Sequence, residues 1–364
     1  MTPPFANVPR LTLPATSFTN IDQVWDAYRE ELQAVESYIA RAVDSRVPVI
    51  NLAASHLLQS GGKRLRPLLL LLSARLCNHQ GPLEDEIVLA SAVEFVHAAA
   101  LLHDDVLDEA ALRRGHETAR LLWGNKASIL VGDYLYTRAI DQVIRLGNSE
   151  IETTLVHAVR EMVEGEMLQF SLHHNINITE TDCLTVIDYK TASLMSAACA
   201  LAAILSGAQP AQIAALTCFG RRLGVAFQVA DDALDYLAQP DKLGKTIGKD
   251  LCEGKITLPL FHLLAACDAG ERAVVERIIG LERGLERGFK RGLDGELDGA
   301  QGVDGGRDLG AIIALMERHG SVPYALDRSR HFIGLALEEL RIFPPSSYRD
   351  AMELIADYVV SRDH

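Results

Sequence analysis

At 364 residues and 48% hydrophobic composition, the chain can bury a large core, in one large domain or two ordinary ones. Its formal net charge of −14 argues against non-specific nucleic-acid binding, and an anionic ligand must therefore be drawn in by local positive charge. No apolar run is both long and uncharged enough for a membrane span, and no basic-then-apolar secretory leader opens the chain, so a soluble protein is expected. Six cysteines, at 77, 183, 199, 218, 252 and 267, lack CxxC or metal-finger spacing and read as small buried hydrophobes in a reducing cytosol.

Four prolines mark residues 1–20 as a disordered or loosely attached tail, with 21–364 following as a single domain. From Ile21 to Arg46, apolar positions Val24, Tyr28, Leu32, Val35 and Ile39 recur at helical spacing. A shorter helix leads through Leu52 and Leu57 to Gly61-Gly62. Then comes Gly61-Gly-Lys-Arg-Leu-Arg-Pro67, where two glycines allow a tight turn and three cations precede an apolar run, Leu68–Leu72. Pro67 suits the first turn of the helix that follows, and a helix start beside Lys63 and Arg66 is an anion site or a solvated basic turn.

A helix over 84–112 is nearly all apolar up to Leu102, as a buried helix is, and ends in His103-Asp-Asp-Val-Leu-Asp108. Residues four apart share a helix face, so Asp104 and Asp108 project together with Asp105 one step round. Stacked carboxylates repel unless a cation lies between them, and such hard oxygen ligands suit Mg²⁺, which takes much of its shell from water and substrate phosphate. Arg113 and Arg114 follow, each shaped to grip phosphate oxygens. A solvated acidic face is the plainer reading.

Helices are expected over 125–146, through Gly132-Asp-Tyr-Leu-Tyr136, and over 151–172. Tyr189-Lys-Thr-Ala-Ser193 opens a small-residue helix to Leu205, and 212–237 forms the next, ending in Gln228-Val-Ala-Asp-Asp-Ala-Leu-Asp-Tyr236. Asp231 and Asp235 repeat the spacing of Asp104 and Asp108, which predicts acidic faces that meet across a cavity and share metal ions. The Gly- and Lys-rich loop 244–259 follows directly. Tetrads such as Leu-Glu-Arg-Gly make 281–307 a low-complexity surface insertion, because glycine at this density weakens a helix. Helical pattern resumes at Leu309 and continues through 322–340 and 348–360. No stretch reads as a strand, and the protein is expected to be all-α.

These segments together resemble the trans-prenyltransferases, the all-trans polyprenyl diphosphate synthases. The likeness rests on GGKRLRP at 61–67, DDVLD with RRG at 104–115, GDYLY at 132–136, KTAS at 190–193, FQVADDALDY at 227–236 and GKTIGKDLCEGKITLP at 244–259. It covers 22–280 and the last fifty residues. Within the family it looks most similar to long-chain, octaprenyl-type synthases, judging by EFVHAAALLHDD and the C-terminus.

The resemblance implies an isoprenoid synthase fold, a bundle of about ten to thirteen helices around a central apolar cavity. It implies that Asp104, Asp108, Asp231 and Asp235 hold two or three Mg²⁺ ions bridging an allylic diphosphate. Arg113, Lys190, Lys245 and Lys255 would contact that diphosphate, with Thr191 and Gln228 beside it. Lys63, Arg66, His97 and Arg114 would bind isopentenyl diphosphate. Neutralising the departing diphosphate lowers the barrier to an allylic cation, which the isopentenyl double bond attacks before a proton is lost. Apolar walls exclude the water that would quench the cation. No protein nucleophile is required. A cytoplasmic homodimer using a farnesyl or geranylgeranyl primer is implied, with a loose membrane-surface association for product release.

Product length is expected to depend on the helix before Asp104. Short-chain members carry bulky aromatics one turn below the metal-binding face; here stand Ala99 and Ala100, with Val96 further down. The expectation is a product beyond C20, about C40 and a quinone side-chain precursor, which tyrosine at 99 would shorten. The rival readings are a farnesyl or geranylgeranyl diphosphate synthase, a non-catalytic subunit of a heteromeric synthase, a terpene cyclase and a lipid-binding protein. A cyclase would lack GGKRLRP, and an inert subunit or a lipid carrier would not keep two acidic motifs.

Overall fold

The structure, a computed structural model, describes residues 18–237, 249–252, 254–279 and 305–361. The chain divides into two compact units: Met1–Met162 with Ala192–Leu223 and Leu335–Tyr358, and Val163–Thr191 with Gly224–Gly334 and Val359–His364.

The first unit begins with α1 (Ile21–Ala27) and α2 (Arg29–Ala42). Asn20, expected in the tail, instead caps α1, its side chain accepting from the Gln23 N–H at 3.1 Å. Helix α3 (Pro48–Gln59) starts on a proline, where the missing N–H does no harm. Helix α4 (Leu65–Leu76) carries Leu68–Leu72, all five fully buried. At about 1.5–3 kcal/mol for each buried leucine, this run fixes the helix and with it the basic turn at its start.

Helix α5 (Leu83–Leu107) is the central element of this unit, packed against α2, α4, α7 (Asn125–Ile144) and α10 (Ser193–Leu205). It stops five residues short of the expected Leu112. Asp108 caps it, and a two-stranded ladder follows, β1 (Leu112–Arg113) paired antiparallel with β2 (His116–Glu117). The expectation of no strand fails here for a local reason. Arg114 and Gly115 both have positive φ, 51° and 81°, as the central pair of a type I′ hairpin turn does. Helix α6 (Ala119–Trp123) leads into α7.

One buried ion cluster ties three helices of this unit together. Arg75 on α4 reaches Glu31 on α2 at 2.6 Å and pairs with Glu86 on α5.

Helix α8 (Ser149–Ser171) carries the chain into the second unit. There α9 (Glu180–Ile187) begins at a capping box made by Thr179 and Asp182, a helix the periodicity had not suggested. A π-helical turn, Asp188–Ala192, follows it directly and carries Lys190 and Thr191. Helix α11 (Pro210–Leu234) ends in the second acidic turn. After α12 (Lys249–Cys252) come α13 (Leu258–Ala266) and α14 (269–279), then α15 (Gly305–His319), α16 (Ser321–Glu339) and α17 (Ser347–Ser361). Helix α15 starts four residues before Leu309 and takes in 305–307 of the expected insertion, while 281–304 lie outside the described residues. Short breaks, such as that at Tyr28, raise the tally of described segments above the expected ten to thirteen.

The all-α expectation holds. The expectation that no apolar run could span a membrane does not: α5 and α11 are long and apolar enough, but 78% and 56% of their most apolar windows are buried. A helix packed largely inside the core needs little polar face.

Candidate active site

In the first unit, the basic turn and the acidic turn are built side by side. Arg64 caps α4 in a left-handed conformation, and its guanidinium is spent on structure, donating to Glu94 at 2.7 Å and to the Leu58 carbonyl at 2.6 Å. Of the three cations in the turn, Lys63 and Arg66 are left for a ligand. The hairpin brings Arg114 up to the same turn: a Cβ on Gly62 would lie 2.9 Å from the Arg114 Nη1, and the Gly62 φ of 148° is one that glycine adopts freely. Burial lowers the Arg66 pKa, Glu94 partly offsets this and Arg114 adds to it. His97 stands among these cations. Burial, then Arg66 and Arg114, hold its pKa well below the ordinary imidazole value, so it is neutral at pH 7. Two arginines, a lysine and a neutral imidazole form a cationic recess suited to a diphosphate.

Asp104 and Asp108 lie one helical turn apart, the Asp108 N–H donating to the Asp104 carbonyl at 2.8 Å, and both are half-buried. Asp105 points into the protein, where Arg113 donates to it through Nε and Nη2, each at 2.8 Å. Arg113, expected on substrate, is thus held by the middle aspartate of the motif. His103 Nε2 donates to the Ile129 carbonyl at 3.0 Å and lies 3.6 Å from Asp133 of the GDYLY stretch.

Below the acidic turn the structure separates the three expected chain-length residues. Val96 and Ala99 have no exposed surface and belong to the packed core, whereas Ala100 is half-buried. Each residue turns a helix by about 100°, so Ala100 shares a face with Asp104 and Ala99 does not.

In the second unit, Lys190, Thr191, Gln228, Asp232, Asp250 and Lys255 line a cavity of about 120 Å³, with apolar walls from Ile178, Val186, Ile187 and Ile256. The Thr191 hydroxyl donates to Gln228 Oε1 at 3.0 Å, and Gln228 Nε2 donates to Asp232 at 2.8 Å. Lys190 donates to Gln169 at 2.8 Å and pairs with Glu166, both on α8. Gly165 permits that approach, since a Cβ there would lie 2.5 Å from the Lys190 backbone nitrogen. A π turn at this point re-aims Lys190 and Thr191 in the way such bulges do at ligand sites.

Asp231 is exposed and Asp235 half-buried, one turn apart, and Asp235 accepts from the Asp250 N–H at 3.3 Å. Asp232 is buried, and burial followed by the nearby Asp250 raises its pKa well above the usual carboxylate range. Lys255 is almost wholly buried against the same cavity, and Lys245 lies outside the described residues.

Among the described residues, no three or more His, Cys, Asp or Glu side chains gather as a metal-binding group. Each acidic turn supplies two carboxylates, a donor set that fits a hard divalent cation completing its shell from phosphate and water. The thiols of Cys77, Cys183 and Cys199 are pushed up to about 12 by burial and are chemically quiet, while Cys218 is exposed against expectation. No local pattern marks Glu94, Glu166, Gln169 or Asp250, whose partners lie far along the chain.

Comparison with known proteins places the chain in a family. The polyprenyl synthetase family model matches residues 47–291. Octaprenyl diphosphate synthase of Haemophilus influenzae is 37% identical, over 95% of this chain and 98% of its own length. A polyprenyl synthase from Caulobacter crescentus, solved with calcium and isoprenyl diphosphate, is 35% identical with a TM-score of 0.85, covering 96% of this chain and all of that one. A decaprenyl diphosphate synthase from Rhodobacter capsulatus is 39% identical with a TM-score of 0.83, covering 94% and 99%. Alike in sequence over nearly its whole length and in fold throughout, this chain belongs to the polyprenyl synthetase family and is a prenyltransferase.

Proposed function

We propose that this enzyme condenses isopentenyl diphosphate with an allylic diphosphate, farnesyl or geranylgeranyl, to build an all-trans polyprenyl diphosphate of about C40, a quinone side-chain precursor. The observation that carries this reading is the cationic recess of Lys63, Arg66 and Arg114 around neutral His97, next to the Asp104–Asp108 turn. A synthase that elongates needs a second diphosphate site beside the one that ionises, and a cyclase does not.

Asp104 and Asp108, with Asp231 and Asp235, would hold two or three Mg²⁺ ions. When bound, these supply Lewis acidity that neutralises the leaving diphosphate. Lys190, Lys245 and Lys255 bind the allylic diphosphate, and the Thr191–Gln228–Asp232 chain of hydrogen bonds lines the cavity beside Lys190 and Lys255. Arg113, anchored by Asp105, presents its remaining N–H groups to the same anion. Lys63, Arg66 and Arg114 orient isopentenyl diphosphate, with His97 neutral so that it can accept or donate one hydrogen bond. The double bond attacks the allylic cation, and the proton then lost goes to the released diphosphate.

The long product is supported by Ala100 beneath the acidic turn and by the long-chain names of the relatives above. A cytoplasmic homodimer, with 21–364 acting as one catalytic domain and loosely attached to a membrane surface during release, completes the reading. The test is incubation of the purified enzyme with Mg²⁺, isopentenyl diphosphate and farnesyl diphosphate, with products sized by mass spectrometry. A series ending near C40 is expected; absence of any condensation product defeats the proposal, and a series ending at C20 defeats its long-chain part.

A further inference from the structure

Lys63 is held by two aromatic residues that no motif includes. Its backbone carbonyl accepts from the Trp25 indole N–H at 2.7 Å, so the end of α1 pins the turn itself. Its ammonium lies 4.7 Å from the centroid of the Tyr358 ring on α17 and also meets the Tyr358 hydroxyl. The two rings meet edge to face, with centroids 5.7 Å apart. Three contacts made by two residues from opposite ends of the chain thus converge on one lysine, within one compact unit.

We infer that Trp25 and Tyr358 are positioning residues that hold Lys63 ready for the diphosphate of the condensing substrate, isopentenyl diphosphate. The inference rests on the role given to Lys63 above. A free lysine has four rotatable bonds and loses much of their entropy when it is fixed on an anion. A ring beneath the ammonium and an N–H on the carbonyl restrict that freedom before the substrate arrives, and a cation over an aromatic face keeps its charge unneutralised. An acid in the place of Tyr358 would hold the lysine equally well and cancel the charge needed for phosphate.

The surroundings separate this role from that of a second anion site. The cleft of about 390 Å³ beside the clamp is also lined by Asp22, Asp26 and Glu36, which repel an anion. Its other cations are already paired, Arg64 with Glu94 and Glu36 and Arg29 with Asp26. The clamp therefore acts through Lys63, whose ammonium is the group it presents.

The test uses the full-length enzyme and steady-state kinetics with each substrate varied. Tyr358→Leu is expected to raise KM for isopentenyl diphosphate roughly three- to fivefold, the size of an exposed cation–π contact, with kcat and the KM for the allylic primer unchanged. Tyr358→Phe, which keeps the ring, should restore most of the affinity, and Trp25→Phe should show a smaller rise of the same kind. In a Lys63→Ala background, Tyr358→Leu should have no further effect. If Lys63→Ala raises this KM but the aromatic variants do not, or if Tyr358→Leu is equally harmful with and without Lys63, the clamp is overturned and the Lys63 site stands. If Lys63→Ala itself leaves the KM unchanged, the anion site and the clamp fall together. Trp25→Phe removes the N–H that holds the Lys63 carbonyl but conserves packing, so its KM decides the matter even if the leucine variant does not fold.

Discussion

Replacing Ala100 by tyrosine should convert this enzyme into a short-chain synthase. Ala100 lies one turn before Asp104 on the same face of α5, about 6 Å along the helix axis, and retains exposed surface. An extended isoprene unit, four carbon–carbon bonds of about 1.5 Å, spans on the order of 5 Å. A tail that leaves a diphosphate held at Asp104 therefore meets a phenol ring at position 100 after little more than one unit. With the one-unit primer dimethylallyl diphosphate, the main product should stop at roughly C10, because about 6 Å of helix holds little more than one unit before the obstruction, and farnesyl diphosphate should become a poor primer. Ala99→Tyr is the control. Ala99 has no exposed surface and sits in the packed core, so the ring should cost about 1–3 kcal/mol of stability and leave the product length alone. Products are sized by mass spectrometry and stability by urea unfolding. A folded Ala100→Tyr enzyme with an unchanged product series would refute the reasoning. So would shortening by Ala99→Tyr alone, which would put the tail on another face of α5.

Other consequences can be measured in parallel. His97 binds its proton less well in the folded state than in the unfolded chain, so it contributes stability above pH about 6.5 that is lost as pH falls below that value toward its depressed folded pKa. His97→Asn should flatten the urea midpoint against pH in this window, and an unchanged slope would assign it to other groups. Arg75→Met should destabilise the first unit by about 3–5 kcal/mol by leaving Glu31 and Glu86 buried without their cation, and a loss below 1 kcal/mol would show the cluster to be hydrated. Gly165→Ala should push α8 away from the π turn, raising the KM for the allylic substrate more than that for isopentenyl diphosphate. Equal effects on both would mean that Lys190 and Thr191 are not displaced selectively.

Much of this protein was legible in its sequence because the signals are local. An i, i+4 pair of carboxylates at the end of an apolar helix needs only helix geometry to be recognised, and both Asp104–Asp108 and Asp231–Asp235 fall one turn apart. Apolar spacing marks the main helices, and six ordered motifs carry the likeness to the family. Helix ends were placed less well. Asp108 caps α5 because the next residues can form a tight hairpin, whose positive-φ pair, Arg114-Gly115, belongs to a turn and to no apolar period.

Tertiary structure alone decided which charges serve the ligand and which serve the fold. Lys63, Arg64 and Arg66 stand within four positions of one another, yet only packing shows that Arg64 is taken by Glu94, thirty residues on. The same holds for Arg113 with Asp105, for Lys190 with Glu166, and for the aromatic pair on Lys63, which comes from the two ends of the chain. Ala99 and Ala100 are identical as letters, and the packing around α5 buries one and leaves the other open. Periodicity reports what a residue does within its own helix. Partners brought together by long-range packing leave no spacing in the chain, so pairing, burial and the pKa shifts that follow from them become visible only when the helices are assembled.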